Sequence, residues 1–209
     1  TLLAVALLHQ VGWVLIDARP ADALRRFHAL LSEGAPISRW ATAYALVDLS
    51  SYYLDRNQPA EAIPQLERAT RLDPASSYAA GSLGALYMDA GRIQEALPMM
   101  ERAVRLRPDV AMNQYNMAGA LARSGQLDSA VTAYAESIRL NDHFLQAYQN
   151  MGIVLVARGR RAEADSIWRA GLKFFPNEVD LYNNIGGNLE ATGKPEEAIA
   201  AYRTALKLA

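Results

Sequence analysis

The sequence predicts an all-α stack of helix-turn-helix repeats, and three observations carry that prediction. The first is a period of 34 residues. Glu61-Ala62-Ile63, Glu95-Ala96-Leu97, Glu163-Ala164 and Glu197-Ala198-Ile199 look alike, and Asp128-Ser129-Ala130-Val131 fills the missing step, so alanines stand at 62, 96, 130, 164 and 198. Five units in register, without insertion or deletion, mark a repeat architecture. Second, Asn57, Gly91, Gly125, Gly159 and Gly193 recur at one place in the period; these residue types most cheaply adopt the positive φ that ends a helix. Third, 38 of the 209 residues are alanine, the best intrinsic helix former.

Laid out by the period, the units are 43–76, 77–110, 111–144, 145–178 and a shortened 179–209, each a pair of amphipathic helices. Pro59 and Pro195 stand where a second helix starts, a position at which the missing N–H does no harm. Pro74, Pro108 and Pro176 stop the second helices, and Asp142 takes that place in the third unit. Position eight of each unit is small: Ser50, Gly84, Ala118, Gly152 and Gly186. It faces the recurring alanines of the second helix, so the two backbones can approach closely there. Leu66, Met100, Tyr134, Trp168 and Tyr202 fill the space beside them, the interdigitation that a close-packed interior requires. Leu72, Leu106, Leu140, Phe174 and Leu208 are expected to seal the end of each second helix.

Residues 1–42 read as a divergent N-terminal helical pair, with an apolar helix over 2–16 and an amphipathic helix over 20–33. Ala23, Phe27 and Leu30 match three positions of a second helix. Two other readings of the apolar run stay open. It is shorter than the roughly 20 residues of a spanning helix, which leaves the remnant of a membrane helix that begins upstream. It also suits an apolar arm that docks on another subunit. It lacks the basic flank of a signal peptide.

These residues resemble the tetratricopeptide repeat family over 43–209. Tyr182-Asn183-Asn184-Ile185-Gly186 followed by Glu197-Ala198-Ile199-Ala200-Ala201-Tyr202 matches the family pattern best. Departures are Asp142 for proline, Gly171 for alanine, and Asp165 where the other units are aliphatic; Asp165 is expected to point to solvent at a frayed edge. The resemblance implies a right-handed superhelical solenoid whose first helices line a concave inner face. Each unit then buries its core only against its neighbours.

Composition excludes several functions. Formal charge is −1, from 21 basic and 22 acidic residues, which argues against nucleic acid, since phosphate binding needs a concentrated basic face. With no cysteine, disulfide scaffolds, thiolate metal sites and cysteine catalysis are absent. His9, His28 and His143 lack the spacing of a helical metal pair, and no nucleophile elbow, phosphate loop or dinucleotide fingerprint occurs. No reaction, cofactor or metal is expected. Arg71, Arg105, Arg139, Lys173 and Lys207 form a basic stripe. It lies near helix C-termini, while Glu61, Glu95, Glu163 and Glu197 lie near the opposite ends, so the pattern reads as complementing the helix dipoles.

Binding is the remaining class. Asn116, Asn150 and Asn184 recur at position six, which the family geometry places on the inner face. An asparagine amide both donates to and accepts from an extended peptide backbone, and some relatives in the family hold peptides on such a ladder; the first two units carry Asp48 and Ser82 instead. Tyr78, Tyr115 and Gln149 join the candidate peptide-binding set, with Tyr44, Met112 and Gln146 on the same face. No unit has lysine at position five with asparagine at position nine, which disfavours capture of chaperone tails.

The leading expectation is a non-catalytic scaffold that binds a peptide or protein surface on the concave face. A second is a structural subunit that stacks head-to-tail into a filament. Its candidate contacts are Leu3, Leu7, Trp13 and Leu15 at one end, and Tyr202 and Leu206 on an uncapped last repeat at the other. A third is the soluble tail of a membrane-embedded glycosyltransferase, with membrane association only through sequence upstream of residue 1. Neither charge nor motif fixes the compartment, and the apolar N-terminus leans toward a site outside the cytoplasm.

Overall fold

The computed structural model describes residues 39–209. The apolar segment 2–16, the helix expected over 20–33, and the residues Leu3, Leu7, Trp13, Leu15, His9 and His28 lie outside the described residues. Ten helices and no strand occur among the described residues. They are α1 (Arg39–Asp55), α2 (Pro59–Leu72), α3 (Ser77–Asp89), α4 (Ile93–Leu106), α5 (Ala111–Arg123), α6 (Leu127–Leu140), α7 (Leu145–Ala157), α8 (Arg161–Leu172), α9 (Val179–Ala191) and α10 (Pro195–Leu208). The chain divides into two compact units, one ending at Leu86 and the other running from Tyr87 to Ala209.

The turns inside the helix pairs follow from backbone chemistry. Asn57, Gly91, Gly125, Gly159 and Gly193 all have positive φ, between 56° and 83°. The reversed backbone lets the next residue donate back to the end of the preceding helix, as Gln126 N does to the Leu121 carbonyl at 2.9 Å and Arg160 N to Leu155 at 2.8 Å. Pro59 and Pro195 open α2 and α10. Two further prolines, Pro64 and Pro98, sit inside α2 and α4 on exposed positions. There solvent takes the carbonyls that a missing N–H leaves open.

In the first unit α1 packs on α2. Leu46, Leu49 and Tyr53 of α1 are buried, as are Ala62, Leu66 and Ala69 of α2. The buried Ser50 hydroxyl turns back to the Val47 carbonyl at 2.6 Å, which satisfies it within its own helix.

In the second unit each helix from α4 to α10 packs on the next, and α7 also touches α9. Ala130, Ala164 and Ala198 are buried at the helix pairs, with Tyr134 and Trp168 beside them. A Cβ built at Gly152 would collide with the Trp168 indole, and one at Gly186 would lie 2.6 Å from Tyr202 Cε1. Only glycine therefore allows these helices their present separation. Trp168 Nε1 also donates to the Gln149 carbonyl at 3.2 Å, so the indole is both packed and satisfied.

Two expectations need correction. Asp165 does not sit at a frayed edge: it lies inside α8, half-buried. Its Oδ2 accepts from Arg169 Nε at 2.7 Å, one turn on, while Oδ1 is buried without a partner. The carboxylate holds its place at an aliphatic position through that ion pair. Phe174 does not seal a helix either, because α8 ends at Leu172 and Phe174 is 38% exposed. It meets His143 edge-on at 5.0 Å instead. Leu208 is exposed as well.

The Gly152–Trp168 contact makes a prediction. Gly152→Ala gains helix propensity of about 1 kcal/mol but overpacks the interior, and the net loss should be roughly 1–3 kcal/mol. Urea unfolding of the variant measures it, and a variant as stable as the parent would refute the close-approach account.

Candidate peptide-binding face

The first helices of the second unit carry two kinds of asparagine. Asn113 and Asn188 are buried and structural. Asn113 Nδ2 donates to the Ala103 carbonyl at 3.1 Å and to the Arg107 carbonyl at 2.9 Å, satisfying the C-terminal end of α4. Asn188 Nδ2 donates to the Arg161 carbonyl at 3.0 Å, and its Oδ1 accepts from Arg161 Nη1 at 3.3 Å, tying α9 to the start of α8. Ser137, fully buried on α6, donates to the Ala111 carbonyl at 2.9 Å. Sequence reading did not single these out, because each partner is a carbonyl whose position only the packed fold reveals.

Asn116, Asn150 and Asn184 occupy α5, α7 and α9, and all three are half-buried. Asn116 and Asn184 make no hydrogen bond within the described residues. Asn150 differs: its Nδ2 donates to the Tyr115 hydroxyl at 2.9 Å, joining α7 to α5. Tyr115 is half-buried, stacked at a tilt on Phe144 at 4.7 Å and edge-on to Tyr134 at 5.7 Å. Burial raises the pKa of both tyrosines, that of Tyr134 to about 12. Gln149 is half-buried, and its main-chain carbonyl is taken by Trp168.

Around these amides the exposed groups of the first helices are mostly neutral. Met112, Gln146, Ile153, Asn183 and Gly187 are exposed, Ile153 by 52%. Arg123 donates to the Met88 carbonyl at 2.7 Å, which spends part of its donor set on the end of α3. In the first unit Tyr44 is exposed and Tyr78 is 67% exposed.

Charged groups elsewhere sit at helix ends. Arg92 pairs with Glu95 and Arg160 with Glu163, each at 2.7 Å through Nε, and hold those carboxyls below the usual range. Arg158 reaches Asp128, 30 residues away, at 2.8 Å. Of the basic stripe, Arg71, Arg105, Arg139 and Lys207 lie in last turns and Lys173 at a helix end. Arg139 is paired with Glu136 at 2.7 Å. Exposed pairs of this kind contribute little to stability. Among the described residues no group of three or more His, Asp or Glu is arranged to hold a metal, and no helix is long and apolar enough to cross a membrane.

On the last helix, Tyr202 turns inward over Gly186 and its hydroxyl donates to Glu190 at 3.3 Å. Leu206, by contrast, is 79% exposed.

A family model for the tetratricopeptide repeat matches residues 47–109, 82–143 and 150–209. No curated protein matches the sequence. Among solved structures, one of MamA superposes with a TM-score of 0.72 at 23% identity, covering 77% of this chain and 94% of that one. A MamA chain from Desulfovibrio magneticus RS-1 gives 0.73 at 17% identity, covering 80% and 94%. YrrB, described as a TPR protein with an unusual peptide-binding site, gives 0.69 at 20% identity, covering 87% and 91%. At these identities the likeness is one of fold. With repeat matches along most of its length and ten helices of the required kind, the chain belongs to the tetratricopeptide repeat family and has its all-α solenoid fold.

Proposed function

We propose that this protein is a non-catalytic scaffold that binds an extended, uncharged peptide segment of a partner protein on its first-helix face. Family membership supports the coarser part, a protein-interaction scaffold. The observation that carries the finer part is the state of Asn116 and Asn184. Their half-buried amides have no hydrogen-bond partner among the described residues, whereas the buried asparagines of the same helices, Asn113 and Asn188, are bonded to neighbouring helices. A carboxamide offers both donors and an acceptor, the complement of a peptide main chain. Apart from Asp180, one turn before Asn184, the exposed side chains around them are mostly neutral, which favours an uncharged segment, since charged ligands require paired charge at a desolvated surface. YrrB, described as having an unusual peptide-binding site, supports a peptide as the kind of ligand.

Peptides selected from a random display library on the full chain test the reading. Asn116→Ala and Asn184→Ala should each weaken a selected peptide about ten-fold, roughly 1.4 kcal/mol, with an unchanged melting temperature. Asn113→Ala should instead cost about 1–3 kcal/mol of stability, because buried carbonyls lose their donor. Peptides bound equally by all variants would overturn the reading.

A second reading has its own support on α10. Val131 and Ile138 of α6, the counterparts of Ile199 and Leu206, are buried or half-buried where α7 packs, whereas Ile199 and Leu206 are exposed. An apolar helix of a second copy, with Leu3, Leu7, Trp13 and Leu15 as its contacts, would fit there and build head-to-tail assemblies. Light scattering should then show assemblies that Leu206→Asp dissolves, while a monomeric parent protein would remove the reading.

A further inference from the structure

Three polar side chains from successive helices of the second unit meet beside Gly119: Tyr115 of α5, Tyr134 of α6 and Asn150 of α7. Asn150 Nδ2 donates to Tyr115 Oη at 2.9 Å. The Tyr134 hydroxyl belongs to the same cluster, 3.7 Å from where a Cβ on Gly119 would lie. The two tyrosine rings are 5.7 Å apart at 61°. A phenol has one proton to donate. Because Tyr115 Oη accepts from Asn150, its own hydroxyl proton is left to point elsewhere. No acceptor among the described residues takes that proton or the one on Tyr134. Tyr134 is only 3% exposed, yet its hydroxyl is not sealed off, since Asp165 Oδ1 is the one fully buried side-chain polar atom without a partner among the described residues. With pKa values raised by burial, both phenols remain donors at neutral pH.

Gly119 explains how a ligand would reach them. A Cβ there would lie 3.7 Å from Tyr134 Oη and 3.5 Å from Met88 Sδ, ordinary contact distances. Packing therefore does not demand glycine at this position, as it does at Gly152, and glycine weakens a helix interior. What it does is leave open the space directly over the hydroxyl. The occupant must be an oxygen acceptor, since two O–H donors converge. A neutral one is favoured, because the nearest cation, Arg123, already donates to the Met88 carbonyl and a buried charge needs a committed partner.

We propose that Tyr115, aligned by Asn150, and Tyr134, uncovered by Gly119, form a subsite for one carbonyl oxygen of a bound peptide main chain. The subsite rests on the peptide-binding reading, which it deepens by giving Asn150 a role different from Asn116 and Asn184. Asn150 is a positioning residue that orients the Tyr115 hydroxyl, while the other two amides face the ligand themselves.

The test uses the full chain with its ten tyrosines labelled at ring Cζ, titrated with N-acetylglycine N-methylamide and, separately, with sodium acetate at matched ionic strength. Resonances are assigned with Tyr115→Phe and Tyr134→Phe. The neutral amide should move these two signals along one saturating curve in the millimolar range, the strength of one or two hydrogen bonds, while acetate leaves them in place. Gly119→Ala should melt at or above the parent temperature yet weaken the amide about ten-fold. Absence of any shift, saturation by acetate alone, or unchanged affinity in Gly119→Ala would overturn the subsite. Selected peptides that still depend on Asn116 and Asn184 in that event would leave the wider reading standing. Saturation by the amide with no selectable peptide would remove the wider reading, and with it the assignment of this pair to a peptide carbonyl.

Discussion

The close approach of the two helices within each repeat is the constraint on which the rest depends. Gly152 against Trp168 and Gly186 against Tyr202 leave no room for a Cβ, and the alanines opposite are buried. A helix turns about 100° per residue. Directing position eight at its partner helix therefore sends position six almost to the opposite side and places position nine near it. Asn116 with Gly119, Asn150 with Ile153, and Asn184 with Gly187 thus share one face because Ala118, Gly152 and Gly186 face another. The proposed binding surface is the geometric remainder of the packing contact.

The same constraint explains the buried polar groups. Helix ends carry carbonyls and N–H groups that the helix itself cannot satisfy, and tight stacking brings those ends inside. Asn113 caps the carbonyls of α4, Ser137 takes the Ala111 carbonyl, and Asn188 joins α9 to the first residue of α8. Each bond crosses from one helix to another, so these side chains fix how neighbouring helices sit as well as removing an unpaired group. Asn116 and Asn184 have no such task, and the proposed binding role rests on that contrast within one residue type.

Much of this was legible in the sequence. The period located every turn, because only glycine or asparagine at 57, 91, 125, 159 and 193 suits a positive φ. The small–large pairing was legible for the same reason, as a residue too large at position eight has no alternative site. Asp165 was misread because its partner, Arg169, decides between a frayed edge and a half-buried ion pair, and periodicity says nothing of that choice. Phe174 was misread because Gly171 and the Phe174-Phe175-Pro176 run end α8 early. The bond from Asn150 to Tyr115 had a detectable signal: position five of one unit meets position six of the next, one period plus one residue along the chain. The proposed subsite at Tyr115 and Tyr134 had none, since it depends on how the packed helices bring Asn150 and Gly119 beside the two rings.

The central claim is that partners engage the first helices and leave the second helices as support. Hydrogen–deuterium exchange of the full chain, with and without a bound peptide, measures this directly, because local protection reports where backbone opening is suppressed. The account predicts slowed exchange in α5, α7 and α9, centred on the turns of helix that carry Asn116, Asn150 and Asn184, with α6, α8 and α10 unchanged. Protection confined to the second helices would contradict it.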